Sequence, residues 1–218
     1  MSTVVSSPAP NSAGIAATLM QKVVREITRP IRRLVSKKEK NTAPAQIASF
    51  HPQQATVEDE AIPFLQSLVR RSRQHPGPII ENGTLLGITT TKMALAKAPN
   101  QRIITVDLYC WNPWGLPSET HRAITTTMLS YLIATEQVEQ VSQDKNEFMR
   151  TYQGPPPAMV FLDAIHTYEE TKRDILWAKQ VGAKIIAGHD YCDKFPGVIQ
   201  VVDEFGGPRE RIASVWVL

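Results

Sequence analysis

Apolar residues along this chain switch between two patterns: short unbroken runs, and stretches in which they return every three or four positions. The first periodic stretch runs from about Ala13 to Lys38, where Ile15, Leu19, Val23, Ile27, Ile31 and Leu34 are interleaved with Lys22, Arg25, Arg29, Arg32 and Arg33. It predicts a basic amphipathic helix kinked at Pro30. Residues 1–12 are small, polar and proline-bearing, and residues 41–56 hold two prolines and three glutamines, the composition of a linker. Two parts follow: an arm over 1–56 and a folded domain over 57–218.

Within the domain the two patterns alternate. Helical spacing is found over Ala61–Arg73, Thr89–Lys97, Ser118–Glu136, a stretch through Glu147 and Tyr152, Thr167–Gln180 and Gly197–Phe205. Between them lie apolar runs at 78–83, Arg102–Tyr109, Val138–Ser142, Ala158–Asp163, Lys184–Ala187 and Ala213–Leu218. Continuous apolar runs suit strands buried on both faces. Strands separated by helices of ten or so residues require crossover connections, which are right-handed. The prediction is an α/β fold with three layers, a doubly wound and mostly parallel sheet, preceded by a helical arm.

Composition adds limits. With 218 residues, 42% of them hydrophobic, the chain can bury one sizeable core and carry an appendage. No run approaches the roughly 20 apolar residues of a membrane span. The net charge of +3 conceals an asymmetry, because residues 1–55 carry eight basic and two acidic side chains while the other 163 carry sixteen and nineteen. A domain of net charge −3 argues against nucleic acid as a partner, since such binding needs a clustered positive face. The basic helix at 13–38 fits contact with anionic lipid or with a partner helix, but the bland reading, an ordinary helix packed on its own domain or a partly disordered arm, carries more weight. Cys110 and Cys192 make no disulfide framework. The start lacks the charged and apolar parts of a secretory signal, so the expected location is the cytoplasm; its Ser-rich, basic composition also suits an organelle transit segment. Homo-oligomerisation is left open.

In open α/β sheets, ligands sit beyond the carboxyl ends of the strands where strand order reverses. Each predicted strand therefore nominates residues. The first ends in Glu81-Asn82-Gly83-Thr84-Leu85-Leu86-Gly87, two glycines four apart that let backbone pass close to a ligand, or that serve the turn alone. The second ends in Asp107, able to accept from both hydroxyls of a ribose or to cap a loop. Asp144 follows the third strand, where it could meet an adenine amino group. The fourth ends in Asp163-Ala164-Ile165-His166-Thr167-Tyr168 and the fifth in Gly188-His189-Asp190-Tyr191. Asp163, Asp190 and His189 are ligand types for a Mg2+-like divalent cation, and His166 could take a proton from a hydroxyl. The competing reading of the same residues is local, with Thr167 and Glu170 forming a capping box.

From Ile79 to Leu218 the chain resembles class I S-adenosylmethionine-dependent methyltransferases, in particular a small-molecule O-methyltransferase-like branch with D-x-x-H-x-Y, G-H-D-Y and G-V-x-x-V-V-D-E-F in this order. These are Asp163 to Tyr168, Gly188 to Tyr191 and Gly197 to Phe205 here. The resemblance implies that Glu81, Gly83 and Gly87 line the methionine end of S-adenosylmethionine and that Asp107 holds its ribose. It further implies metal ligands at Asp163 and Asp190, a base at His166, and a small molecule or sugar as methyl acceptor. Two departures stand out: the third-strand region is faint, and a single final strand is predicted where the family has a hairpin. The contrasting hypothesis is a catalytically silent member of the fold that binds a partner or membrane through its arm. A nicotinamide-dependent dehydrogenase fits less well, because the glycine spacing is wrong for it.

Overall fold

The computed structural model describes residues 56–218. The chain divides after Phe50 into two units, and every described residue belongs to the second. The predicted arm helix at 13–38 and most of the predicted linker lie outside the described residues.

A short turn of 3-10 helix at Asp59–Ala61 leads into α1 (Ile62–Ser72), which presents Leu65, Leu68 and Val69 to the core. Strands β1 (Ile79–Asn82), β2 (Ile103–Asp107), β3 (Val138–Ser142), β4 (Met159–Leu162) and β5 (Ile186–Gly188) follow, with helices between them. The helices are α2 (Ile88–Ala94), α3 (Ser118–Met128), α4 (Ser130–Ala134), α5 (Lys145–Thr151), α6 (Tyr168–Gln180) and, after β5, α7 (Pro196–Glu204). Strands β6 (Glu210–Ile212) and β7 (Val215–Val217) complete a seven-stranded sheet in the order β3-β2-β1-β4-β5-β7-β6. The first five strands are parallel, and β7 is antiparallel to β5 and β6. The doubly wound architecture expected from the sequence is present.

Successive residues of each central strand feed opposite faces. Ile79, Met159 and Phe161 join one apolar cluster with Leu65, Met93 and Leu129, while Ile80, Val160 and Leu162 join another with Ile175, Val198 and Trp216. Burial on both sides explains why these strands carry no polar alternation.

Two elements differ from the sequence expectation. The long helix predicted over Ser118–Glu136 breaks at Leu129, whose backbone leaves the helical region (φ −91°, ψ 1°). The three preceding threonines, Thr125, Thr126 and Thr127, each return a hydroxyl hydrogen bond to the carbonyl four residues earlier, an arrangement that bends helices. Instead of a single final strand, the chain ends in the hairpin β6 and β7. All three residues of β6 are exposed, so this short edge strand has no apolar pattern to announce it.

Register decides where the loops emerge. Asn82 pairs with Val106 on one side and Leu162 on the other, and Leu162 pairs with Gly188. The next residues, Gly83, Asp107, Asp163 and His189, therefore share one rim. Strand order reverses between β1 and β4, so this rim is the switch point of the sheet.

Candidate active site

The turn after β1 is tied down from several directions. Gly83 has φ +94°, and a Cβ there would lie 2.0 Å from the carbonyl oxygen of Asp163, so only glycine lets this loop rest on the loop after β4. Gly87 has φ +75°, and a Cβ would press to 2.8 Å from Leu129. Asp107 accepts at Oδ2 from the amides of Thr84 and Leu85, 2.9 Å each, and at Oδ1 from the amide of Tyr109 at 2.7 Å. Thus the carboxylate assigned to a ribose also caps the glycine loop. His121 Nε2 donates to the Leu85 carbonyl at 3.0 Å, and the hydroxyl of Thr125 donates to the same oxygen. No sequence signal marked His121 or Thr125, because their role depends on α3 crossing over the loop.

Glu81 is wholly buried at the end of β1, where its Oε2 accepts from the hydroxyls of Thr90 and Thr105. Burial raises its pKa to about 8, against the opposing effect of the two threonines. Its other oxygen, Oε1, has no partner; neither has Asn82 Oδ1 or His121 Nδ1. These three atoms are fully buried, and Glu81 and Asn82 point to opposite faces of the sheet. The groups at the rim itself that could meet a cofactor are Gly83, whose missing side chain leaves backbone open to close approach, and the Asp107 carboxylate at the next strand end. Asp144 stands one strand beyond Asp107, exposed, and accepts at Oδ1 from the amides of Asn146 and Glu147 as the N-cap of α5.

Beyond β4 and β5, four predicted residues come together. His166 Nε2 lies 3.1 Å from Asp190 Oδ2, and His189 Nδ1 lies 3.3 Å from Asp163 Oδ1 and 3.6 Å from Asp190 Oδ2. Ligand atoms of Asp163, His189 and Asp190 fall within 4.8 Å of one another, a spread that one divalent ion can span with small side-chain adjustments. Two oxygens and one imidazole nitrogen form a chemically suitable donor set. Asp190 has φ +61°, a left-handed conformation that Asp tolerates better than most residues. The turn is fixed by hydrogen bonds from His189 N to Leu162 O and from Tyr191 N to Ser214 O, both 3.0 Å. Gly188 is required because a Cβ would approach Trp216 to 2.5 Å, and Trp216 Nε1 in turn donates to the His189 carbonyl.

Glu58, which no sequence pattern singled out, completes the cluster. It lies just before α1 and accepts at Oε2 from His189 Nε2 (3.1 Å) and at Oε1 from the Ser214 hydroxyl (2.6 Å). The imidazole is thus held between carboxylates at both nitrogens. Burial disfavours charge on His189, but Asp163, Glu58 and Asp190 outweigh it and raise its pKa to about 11. The hydrogen bond from His189 holds the Glu58 carboxyl down to about 2. For Asp190, burial and the nearby Asp163 carboxylate win over the two imidazoles and push its pKa upward.

The third motif serves the first two. Tyr191 donates its hydroxyl to Asp203 at 2.7 Å, and Tyr168 donates to Glu204 at 2.8 Å, so α7 anchors both rim segments. Gly197 permits this approach, since a Cβ there would lie 2.5 Å from the Tyr168 amide.

With this arrangement in place, comparison with known proteins is decisive for the family. The sequence profile of a methyltransferase domain matches residues 80–191, just over half of the chain. The chain belongs to this methyltransferase domain family. The matched span begins in β1 and ends immediately after Asp190, so it encloses the glycine loop and the whole Asp163, His166, His189 and Asp190 cluster. Among solved structures, it is similar to a cofactor-bound protein of MTB, with 21% identity over 91% of this chain and 87% of that one and a TM-score of 0.56. An O-methyltransferase from Bacillus cereus in complex with SAH is 18% identical over 79% and 80%, with a TM-score of 0.56. A calicheamicin methyltransferase is 15% identical over 99% and 98%, with a TM-score of 0.58. At these identities the likeness establishes a shared fold. No curated protein matches the chain. No helix among the described residues is long and apolar enough to cross a membrane.

Proposed function

We propose that this protein transfers the methyl group of S-adenosylmethionine to a hydroxyl oxygen of a small molecule or sugar, with a divalent cation at Asp163, His189 and Asp190. The observation that carries the reading is the contact between Gly83 and Asp163: the glycine loop rests on the backbone of the first carboxylate residue. A cofactor on the one and an acceptor at the other would be neighbours, which is the condition for in-line transfer. The O-methyltransferase from Bacillus cereus among the similar structures points the same way.

When bound, S-adenosylmethionine supplies an electrophilic sulfonium methyl, and a divalent cation makes a coordinated hydroxyl more acidic. The rest is the work of this chain. Gly83 and the amides beside it give the cofactor close access to the backbone, and Asp107 fixes the loop that provides them. His166 is the base that takes the acceptor's proton; Asp190 at 3.1 Å and the tilted ring of Phe195, 4.6 Å between ring centroids, hold its orientation.

The test is methyl transfer from labelled S-adenosylmethionine to a panel of small-molecule and sugar hydroxyls, with Mg2+ or Mn2+ added. Transfer to an oxygen, lowered by about 10²- to 10⁴-fold in His166→Ala, is the expected result. Transfer to nitrogen or carbon acceptors alone would refute the oxygen assignment.

A further inference from the structure

His189 stands where a site for Mg2+ would be served as well by a third oxygen ligand, and its ring is oriented from outside the cluster. Nδ1 faces Asp163 and Asp190, while Nε2 faces Glu58, which reaches in from the segment before α1. Glu58 is itself fixed at its second oxygen by Ser214, from the turn between β6 and β7. A ring whose outer nitrogen donates to a carboxylate keeps its orientation when an ion replaces the proton on the other nitrogen, and this is the usual way a protein holds an imidazole ligand. The side chain of His189 is only 10% exposed, so water competes poorly for either nitrogen.

We infer that Glu58 is the positioning residue that makes His189 Nδ1 a metal ligand, and that the resulting site of two carboxylates and one imidazole selects a transition ion such as Mn2+ over Mg2+. This rests on the cation reading proposed above. Imidazole nitrogen is a good donor to borderline transition ions and a poor one to Mg2+, which prefers oxygen throughout. Glu58 hydrogen-bonds to His189 and Ser214 and makes no such bond to Asp163 or Asp190, so its structural hold on the site runs through the histidine. No residue of the matched family span supplies this carboxylate, because Glu58 lies 22 residues before it.

The experiment is calorimetric titration of the full chain with Mn2+ and, separately, Mg2+, followed by pulsed electron paramagnetic resonance of the Mn2+ form. The wild-type protein should bind Mn2+ at least 10-fold more tightly than Mg2+ and show hyperfine coupling to an imidazole nitrogen. Glu58→Ala should weaken Mn2+ binding by about 10- to 100-fold while changing Mg2+ binding much less, so that the preference collapses. Glu58→Gln keeps an acceptor for Nε2–H and should restore part of it. Equal affinity for the two ions, absence of nitrogen coupling, or an unchanged preference in Glu58→Ala would each overturn the inference. The wild-type ratio and coupling decide it even if a variant does not fold. Should the wild-type bind neither ion at millimolar concentration, the cation reading fails and this inference with it; S-adenosylhomocysteine titrated into the same sample then shows whether the methyltransferase reading survives.

Discussion

His166 Nε2 and Asp190 Oδ2 are 3.1 Å apart, although they come from loops after two different strands. The pair puts a candidate base and a candidate metal ligand at one point of the rim. Replacing His166 with Ala should lower turnover by about 10²- to 10⁴-fold, the usual worth of a positioned base. Binding of S-adenosylhomocysteine should change by less than about twofold, because His166 makes no contact with the glycine loop. Radiometric assay and calorimetry on one preparation check both halves.

Asp190→Asn and Asp190→Ala should separate ligand chemistry from backbone conformation. Both remove a carboxylate, and both should weaken Mn2+ binding by at least about 10-fold. Asn accepts the left-handed backbone at φ +61° nearly as well as Asp, whereas Ala should cost about 1 kcal/mol more in a denaturant titration. Equal stability of the two variants would show that the conformation at 190 is not under strain.

Gly83→Ala places a methyl group 2.0 Å from a backbone oxygen in a region of φ that L-residues avoid. The loop must move off Asp163 to accommodate it. Affinity for S-adenosylhomocysteine should fall by at least about 10-fold, and stability by about 1–3 kcal/mol from the conformation alone.

Glu81 makes stability depend on pH in a stated direction. Its pKa rises from an ordinary carboxyl value near 4.5 to about 8 on burial, so the folded state binds the proton more tightly than the unfolded state. The resulting stabilisation is complete below pH 4.5 and is lost progressively as the pH climbs toward 8, at up to about 1.4 kcal/mol per unit. Glu81→Gln should remove this part of the slope. Urea titrations of both proteins at pH 5, 6, 7 and 8 measure it, and parallel curves would contradict the assignment.

Lys145 and Asp174 form a buried pair at 2.5 Å between α5 and α6, with Glu170 at 2.7 Å from the same ammonium. Lys145→Met strands the Asp174 charge and should cost about 3–5 kcal/mol at pH 8. Burial raises Asp174 to about 6 even with the opposing charge of Lys145 in place. Asp174 can therefore neutralise itself in acid, and the loss should be clearly smaller at pH 5.

The layers and the rim residues could be read from the chain because strands buried on both faces write themselves as apolar runs. Asp163, His166, His189 and Asp190 were legible for a related reason: each closes or follows such a run, and parallel register then brings the ends level. Glu58 was not legible. It lies in a short polar segment before α1, and only tertiary folding carries it to His189. The same holds for Asp203 and Glu204, whose helix was predicted but whose bonds to Tyr191 and Tyr168 depend on how α7 lies against α6. Strand β6 escaped because an exposed edge needs no apolar face, and the break at Leu129 because three consecutive threonines bend a helix without ending its periodicity.

The most direct measurement is calorimetric titration of S-adenosylhomocysteine into the 218-residue protein, repeated with Gly83→Ala. The glycine loop resting on Asp163 predicts one site per chain with a micromolar dissociation constant, weakened at least about 10-fold in the variant. Absence of heat at several hundred micromolar ligand, or equal binding by both proteins, would contradict it.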